Sequence, residues 1–264
     1  QSHVKTPDYE MYGFNLALSP FALIGHNREF AYGMTMFEND DVDFYFEKNN
    51  PNNPSEYQTK DGFKKYKVIQ KIIKVKDAED VVVNVKVSQH GPIMNDLIEH
   101  VDDERPMAIQ WIYTKLNNQL LELSHQMSHA NSLSEFKNAA SKLHAPGLNI
   151  MYGDAKNNIA WFAAGKLYKY REGVNTKLIL DGASGDDEIL EYFDFEENPQ
   201  AINPSINYVY SANNQPDSIK NGLYPGYYLP EDRAKRIVSL LKDKNDFTKE
   251  NVAKMIYDVT SATA

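Results

Sequence analysis

Short apolar runs separated by turn residues fill the first part of the chain, and apolar positions at three- and four-residue spacing take over in its middle and at its end. Residues 12–46 carry four such runs, Tyr12-Gly13-Phe14, Phe21-Ala22-Leu23-Ile24, Ala31 to Met36 and Val42 to Phe46, which predict strands and tight turns. The Asn- and Pro-rich stretch 49–54 reads as a loop, because each Pro turns its predecessor away from helix and Asn favours turns. Residues 67–76 and 81–87 are rich in β-branched side chains and flank Asp77-Ala78-Glu79-Asp80, a predicted hairpin. After a strand over 107–113 the period changes, and Leu116, Leu120, Leu123 and Met127 fall on one helical stripe. Ser132 and Glu135 have the spacing of a capping box and open a second helix through Leu143. A hairpin follows over 148–152 and 159–164, then an acidic, loop-rich stretch over 174–204 and a strand over 207–212. Two helices close the chain, one lined by Ala234, Ile237, Val238 and Leu241, the other by Val252, Met255, Ile256 and Val259 with Thr248 as its N-cap. Hairpins in place of βαβ units favour an α+β fold with largely antiparallel sheets, and no internal repeat is present.

Composition narrows the function classes. A net charge of −9 with no Lys/Arg-rich block argues against a nucleic-acid surface. No apolar stretch reaches the length of a membrane span, and the first residues do not read as a signal peptide. Zero cysteines excludes disulfides, thiolate metal sites and cysteine nucleophiles. The 17 Tyr and 12 Phe suit packed sheets and an apolar pocket. Both ends read as cut: Gln1 is not a start methionine, and Ser261-Ala262-Thr263-Ala264 follows an unfinished helical pattern.

One run stands out, Ile24-Gly25-His26-Asn27-Arg28-Glu29-Phe30-Ala31-Tyr32-Gly33-Met34-Thr35 followed by Asn39-Asp40-Asp41-Val42-Asp43. Downstream, in order, come His90-Gly91-Pro92, Tyr152-Gly153-Asp154 with Asn157-Asn158-Ile159-Ala160, Asn203-Pro204, Ala212-Asn213-Asn214-Gln215-Pro216 and Asp232-Arg233-Ala234. Together these resemble the nucleophile-bearing β chain of the penicillin acylase family of N-terminal-nucleophile amidohydrolases, from about Tyr12 to Leu241. The resemblance implies an αββα sandwich of largely antiparallel sheets. It also implies that residues 1–264 are one partial domain, the middle section of that β chain, truncated at both ends. The expected partners are then the α chain and the remainder of the β chain, a small acylated amide as substrate, and a second copy in a homodimer. Neither nucleic acid nor membrane is expected as a partner, and the family suggests a periplasmic or extracellular location.

In the resembled enzymes a serine at the free N-terminus of the β chain attacks the amide. Its own α-amino group, titrating near pH ~8, serves as base. Matching assigns the oxyanion donors to the backbone N–H of Met36 and the side-chain amide of Asn213, with Arg233 organising the surroundings. A guanidinium fork suits that work because it can hold an Asn carbonyl and orient the amide beside it. Met34 and Phe37 are expected to border the acyl pocket. Asp40, Val42 and Asp43, with the carbonyl of Thr176, match a structural Ca²⁺ site of hard oxygen donors, expected to be weak or empty in this chain alone.

Other residues read as structural. His26-Asn27 builds a turn, His90 stands in a similar context, and His125 with His129 lies on a polar helix face with no third zinc ligand at a recognisable spacing. The nucleophile itself is missing: Ser2-His3-Val4-Lys5 does not match the family's start, and no nucleophile elbow replaces it. The expected parent activity is removal of an acyl group from a β-lactam, an acyl-homoserine lactone or another N-acylated compound, with the chain by itself inactive. The alternative is a binding or scaffold protein that keeps the sandwich without catalysis. A weaker third reading is a metal hydrolase built on Asp40, Asp43 and a histidine.

Overall fold

The computed structural model describes residues 1–95, 103–216 and 224–262. In chain order the elements are β1 (Ser2–Lys5), β2 (Glu10–Phe14), β3 (Ile24–His26), β4 (Phe30–Met36), β5 (Val42–Phe46), β6 (Asn49–Asn50), β7 (Asn53–Thr59), β8 (Gly62–Lys65), β9 (Lys67–Ile73), β10 (Val81–Val87) and β11 (Met107–Trp111). Then come α1 (Ile112–Lys115), α2 (Leu120–Ser128), α3 (Leu133–Ala140), β12 (Leu148–Asp154), β13 (Ile159–Ala164), β14 (Tyr168–Lys169), β15 (Leu180–Asp181), β16 (Glu191–Tyr192), β17 (Gln200–Ile202), α4 (Asp232–Leu241) and α5 (Lys249–Ile256). The chain divides into two compact units, one of Gln1–Asn39, Asn118–Lys166 and Asp194–Ala264, the other of Asp40–Asn117 and Leu167–Phe193.

The first unit is built on a seven-stranded sheet in the order β1-β2-β3-β4-β12-β13-β17, antiparallel throughout. Alternation along the strands turns one set of side chains toward α2 and α3. Phe30, Tyr32, Ile150, Tyr152 and Phe162 meet Leu123, Met127, Phe136, Ala139 and Ala140 there in one buried cluster. Each large side chain buried in this way contributes about 1.5–3 kcal/mol. Ser132 caps α3 by accepting the Glu135 N–H at 3.2 Å, while the Glu135 carboxylate turns back to the Asn131 N–H at 2.9 Å. Thr248 and Asn251 form a reciprocal capping box at the start of α5. In the second unit β5 lies between β11, antiparallel, and β15, parallel, over a small core of Tyr45, Ala108 and Leu180. The predicted β9–β10 hairpin forms, with Ile73 opposite Val81.

Three expectations are corrected. The stretch 49–54 is a tight hairpin between β6 and β7, because Asn50 Oδ1 accepts the Asn52 N–H at 3.0 Å and closes the turn within the strands. The helical stripe starts at Leu120; Leu116 is extended after the short α1, and the Asn118 side chain is used to accept the Ala145 N–H at 3.1 Å. Residues 207–212 form no regular strand: among the described residues no neighbour offers them a ladder, and only an isolated bridge joins Asn214 to Leu229. His125 and His129 lie in an aromatic cluster, stacked on each other at 4.2 Å and against Tyr9 and Phe21.

Candidate active site

In the first unit three distant stretches meet at the end of β4. The Phe37 N–H donates to Gly147 O at 3.0 Å, so the Met36 carbonyl of the same peptide unit turns away from the β12 main chain. Two side-chain amides meet that carbonyl, Asn213 Nδ2 at 2.8 Å and Asn149 Nδ2 at 2.9 Å. In extended backbone a residue's N–H and C=O point to the same edge, which puts the Met36 N–H on the side of Asn213. β3 pairs with β4 only as far as Tyr32, so among the described residues Gly33–Met36 have no strand on that edge.

Asn213 has φ 61°, the left-handed region that Asn tolerates better than most residues. Its turn is pinned by the Leu229 N–H donating to Asn213 O at 2.8 Å and by the Asn213 N–H donating to Ser211 Oγ at 3.3 Å. Arg233, in the first turn of α4, donates to Ala212 O at 2.5 Å and to Asn213 Oδ1 at 3.0 Å. A guanidinium only donates, so Asn213 Oδ1 must face it and the NH₂ group must face Met36. One Asn213 amide proton goes to the Met36 carbonyl, and the second remains for an acceptor beside it. Beneath the turn, Thr35 Oγ1 and Ser211 Oγ lie 2.7 Å apart.

Met36 is exposed at the end of its strand, whereas Phe37 is fully buried beside Tyr228 and Gly147. Met34 is half-buried against the helix-facing core, on the same face of β4 as Met36. A cavity of about 880 Å³ opens on the opposite side of the sheet, between Trp161 and Asn149 and the α4 side chains Ala234 and Val238, with Tyr208 and Tyr210 along it. Neither Met34 nor Phe37 lines this cavity.

The acidic residues lie in the second unit. Thr176 Oγ1 donates to Asp40 Oδ2 at 2.6 Å, and Tyr168 and Tyr170 donate to Asp43 Oδ2 at 2.8 and 2.6 Å. Asp40 and Asp43 are both buried, and their remaining oxygens, Asp40 Oδ1 and Asp43 Oδ1, have no hydrogen-bond partner. Burial pushes both carboxyls up, Asp43 to about 6, against the hydrogen bonds from Tyr170 and Tyr168 on Asp43 and from Thr176 on Asp40. Burial, with the charge of Asp40 beside it, also pushes Asp41 up to about 6. Three carboxyls so raised, two with orphaned buried oxygens, suit a bound cation. Among the described residues no group of three or more His, Asp and Glu is gathered closely enough to hold a metal, so such a site would draw on neutral oxygens as well.

The same unit holds a charged cluster that sequence reasoning did not anticipate. His90 Nδ1 lies 2.8 Å from Glu47 Oε1 and His90 Nε2 lies 3.0 Å from Glu188 Oε1, with the ring stacked on Tyr45 at 3.9 Å. Both ring nitrogens are engaged, which leaves none for general-base work. Asn149 and Trp161 were also missed; the only sequence signal was a polar Asn inside the apolar run Leu148 to Tyr152.

A seven-stranded antiparallel sheet backed by helices, with the Met36 end of β4 free of a strand neighbour among the described residues, is an α+β arrangement of the N-terminal-nucleophile hydrolase type. The family model for penicillin amidase matches residues 1–264, and the chain belongs to that family. Its fold is that of a thermostable penicillin G acylase from Alcaligenes faecalis, with a TM-score of 0.83, 24% identity, and coverage of 96% of this chain and 45% of that one. Acyl-homoserine lactone acylase QuiP of Pseudomonas aeruginosa is 25% identical over 269 residues, covering 98% of this chain and 31% of the relative. QuiP of Pseudomonas fluorescens is 26% identical over 243 residues, covering 90% and 30%. The chain thus spans about a third of the length of these curated relatives.

Proposed function

We propose that these residues form the oxyanion-binding part of an amidohydrolase that removes the acyl group from a small N-acylated compound. The observation that carries this reading is the set Met36–Asn213–Arg233, in which a neutral amide is oriented by a guanidinium and aimed at an open strand edge. A tetrahedral intermediate needs donors fixed before its negative charge develops, each worth about 3 kcal/mol. The second Asn213 amide proton and the Met36 N–H are those donors, and Arg233 keeps the amide from turning its oxygen toward the oxyanion.

The nucleophile comes from outside these 264 residues. Ser2 does not supply it: the register runs Ser2 to Gly13 to Gly25 to Tyr32, three strands across, and Met36 lies four residues further along β4. At strand spacings of about 4.8 Å and rises of about 3.4 Å, Ser2 is about 20 Å from the donors. Its hydroxyl donates instead to Asn15 Oδ1 at 2.8 Å.

The substrate class rests on the relatives' names, acyl-homoserine lactone acylase and penicillin G acylase, both of which describe loss of an acyl group. Met34, sharing a sheet face with Met36, borders the acyl group in this reading, and Phe37 supports that border from the core. Asp40 and Asp43, with the carbonyls of Val42 and Thr176, hold a structural calcium ion that neutralises their buried charge and takes no part in the chemistry.

The test is Asn213→Ala in the whole acylase that carries these residues, assayed on N-acyl-homoserine lactones and on a penicillin. A fall in kcat of about 10²–10³ with KM little changed is expected. Unchanged kcat would remove the oxyanion assignment, and a complete lack of acylase activity in the whole wild-type protein would favour the scaffold reading.

A further inference from the structure

Asn149 is the second amide on the Met36 carbonyl, and every hydrogen-bonding atom of its side chain is used. Nδ2 lies 2.9 Å from Met36 O and 3.3 Å from Thr35 Oγ1, and Oδ1 accepts the Trp161 indole N–H at 2.9 Å. The side chain is almost completely buried. Its surroundings follow from register: Asn149 pairs with Thr35 across β4 and with Ala163 across β13, which sets Trp161 diagonally beside it on the same face. Thr35, Asn149 and Trp161 therefore form a polar row on three adjacent strands, on the face opposite Ile150 and Phe162.

The row repeats the logic of the Arg233 contact. An indole N–H only donates, so Asn149 Oδ1 must face Trp161 and its NH₂ must face Met36 and Thr35. The Met36 carbonyl is thus held by two amides, each locked by a partner that cannot accept. The Asn149 side resists rotation most, because turning its amide would orphan a buried donor and acceptor, whereas the more exposed Asn213 amide is held by its guanidinium partner. The Met36 peptide is the part of the site that must not drift, since its N–H and the Asn213 amide have to converge on one oxygen.

We infer that Asn149 and Trp161 are positioning residues of the oxyanion site, a second arm that fixes the Met36 peptide from the sheet interior while Asn213 and Arg233 fix it from the α4 side. This rests on the reading of Met36 and Asn213 as oxyanion donors. Although both line the cavity on this face of the sheet, their positioning role is exerted through the main chain of Met36.

The experiment uses the whole acylase with Trp161→Phe, Asn149→Asp and Asn213→Ala, measuring kcat and KM from pH 5 to pH 8 and thermal unfolding of each. Trp161→Phe keeps an aromatic ring in the row but removes the N–H together with part of the indole's bulk, so the unfolding measurement separates packing loss from loss of the hydrogen bond; kcat falls about 10-fold with KM unchanged, as a small misplacement of a reacting geometry does. Asn149→Asp cannot donate to Met36 O while ionised, so its kcat relative to wild type is lowest at pH 8 and recovers as the carboxyl gains a proton. Two results overturn the inference while the oxyanion reading stands: Asn213→Ala loses activity but the other two variants retain wild-type kcat at every pH, or their kcat and KM move together with a lowered melting temperature and no pH-dependent recovery. If Asn213→Ala also keeps wild-type kcat, the reading beneath the inference falls with it.

Discussion

Replacing His90 by Leu removes a ring of similar size from between two carboxylates and leaves Glu47 alone in the second unit. The Glu47 side chain is 0% exposed and that of His90 is 1% exposed, while Glu188 is 34% exposed and partly screened by water. Glu47 Oε2 already lacks a partner, so His90 is the group that compensates this buried carboxylate. Breaking one side of a buried pair costs about 3–5 kcal/mol. Loss of the stacking on Tyr45 adds about 0.5–1.5 kcal/mol. The Glu188 contact adds little on top, because its carboxylate can return to solvent. Replacing both buried partners, His90→Leu with Glu47→Leu, removes the orphaned charge and should recover part of the loss.

The same cluster makes stability depend on pH. Burial opposes charging of His90, but the hydrogen bonds and charges of Glu188 and Glu47 outweigh it and hold the imidazole above its ordinary 6.5. A raised folded value means the contribution is complete below 6.5 and is lost as pH rises through that folded value. The His90 hydrogen bond holds Glu188 below its ordinary 4.5, so its contribution is complete above 4.5 and is lost on further acidification. Stability should therefore be highest between these limits and decline on the alkaline side. Urea unfolding followed by intrinsic fluorescence at pH 6 and pH 8.5 reads both effects. The reasoning is refuted if His90→Leu matches wild type within about 1 kcal/mol at pH 6, where the combined loss should be about 3.5–6.5 kcal/mol. It is equally refuted if the gap between the two proteins does not narrow at pH 8.5.

The 264-residue chain alone should show no turnover of a chromogenic N-acyl amide, and Ser2→Ala should change nothing; measurable hydrolysis abolished by that substitution would contradict the register argument. Calcium should bind the isolated chain no more tightly than about 10⁻⁴ M by titration calorimetry, because too few oxygen donors are present, and Asp43→Asn should remove what binding there is. Tight stoichiometric binding would show a fuller donor set. Gly91→Ala should destabilise the second unit by about 3 kcal/mol or more, since a Cβ at its φ of 154° would lie 1.9 Å from Ile109 O. A melting temperature equal to that of wild type would show that the β11 backbone can yield.

Strands, hairpins and the closing helices were legible in the sequence because their signals are local: alternation, β-branched runs, a capping Thr248, and turn residues between. The motif order also identified the residues of interest, since residue type and spacing are what a family resemblance reads. Tertiary structure decided what those residues do to one another. Met36 and Asn213 are 177 positions apart, and no periodicity carries a contact of that range. That the Asn213 amide faces Met36 follows from the Arg233 guanidinium on its oxygen, and that Asn149 belongs to the same grip follows from the register of β12 with β4 and β13. Residues 207–212 have a strand-like pattern but no ladder among the described residues, because strand formation depends on a neighbour as well as on the segment. The buried oxygens of Asp40 and Asp43 and the clamp on His90 are likewise products of packing: in sequence they are ordinary acids and a histidine, and only exclusion of water makes their charge a structural force.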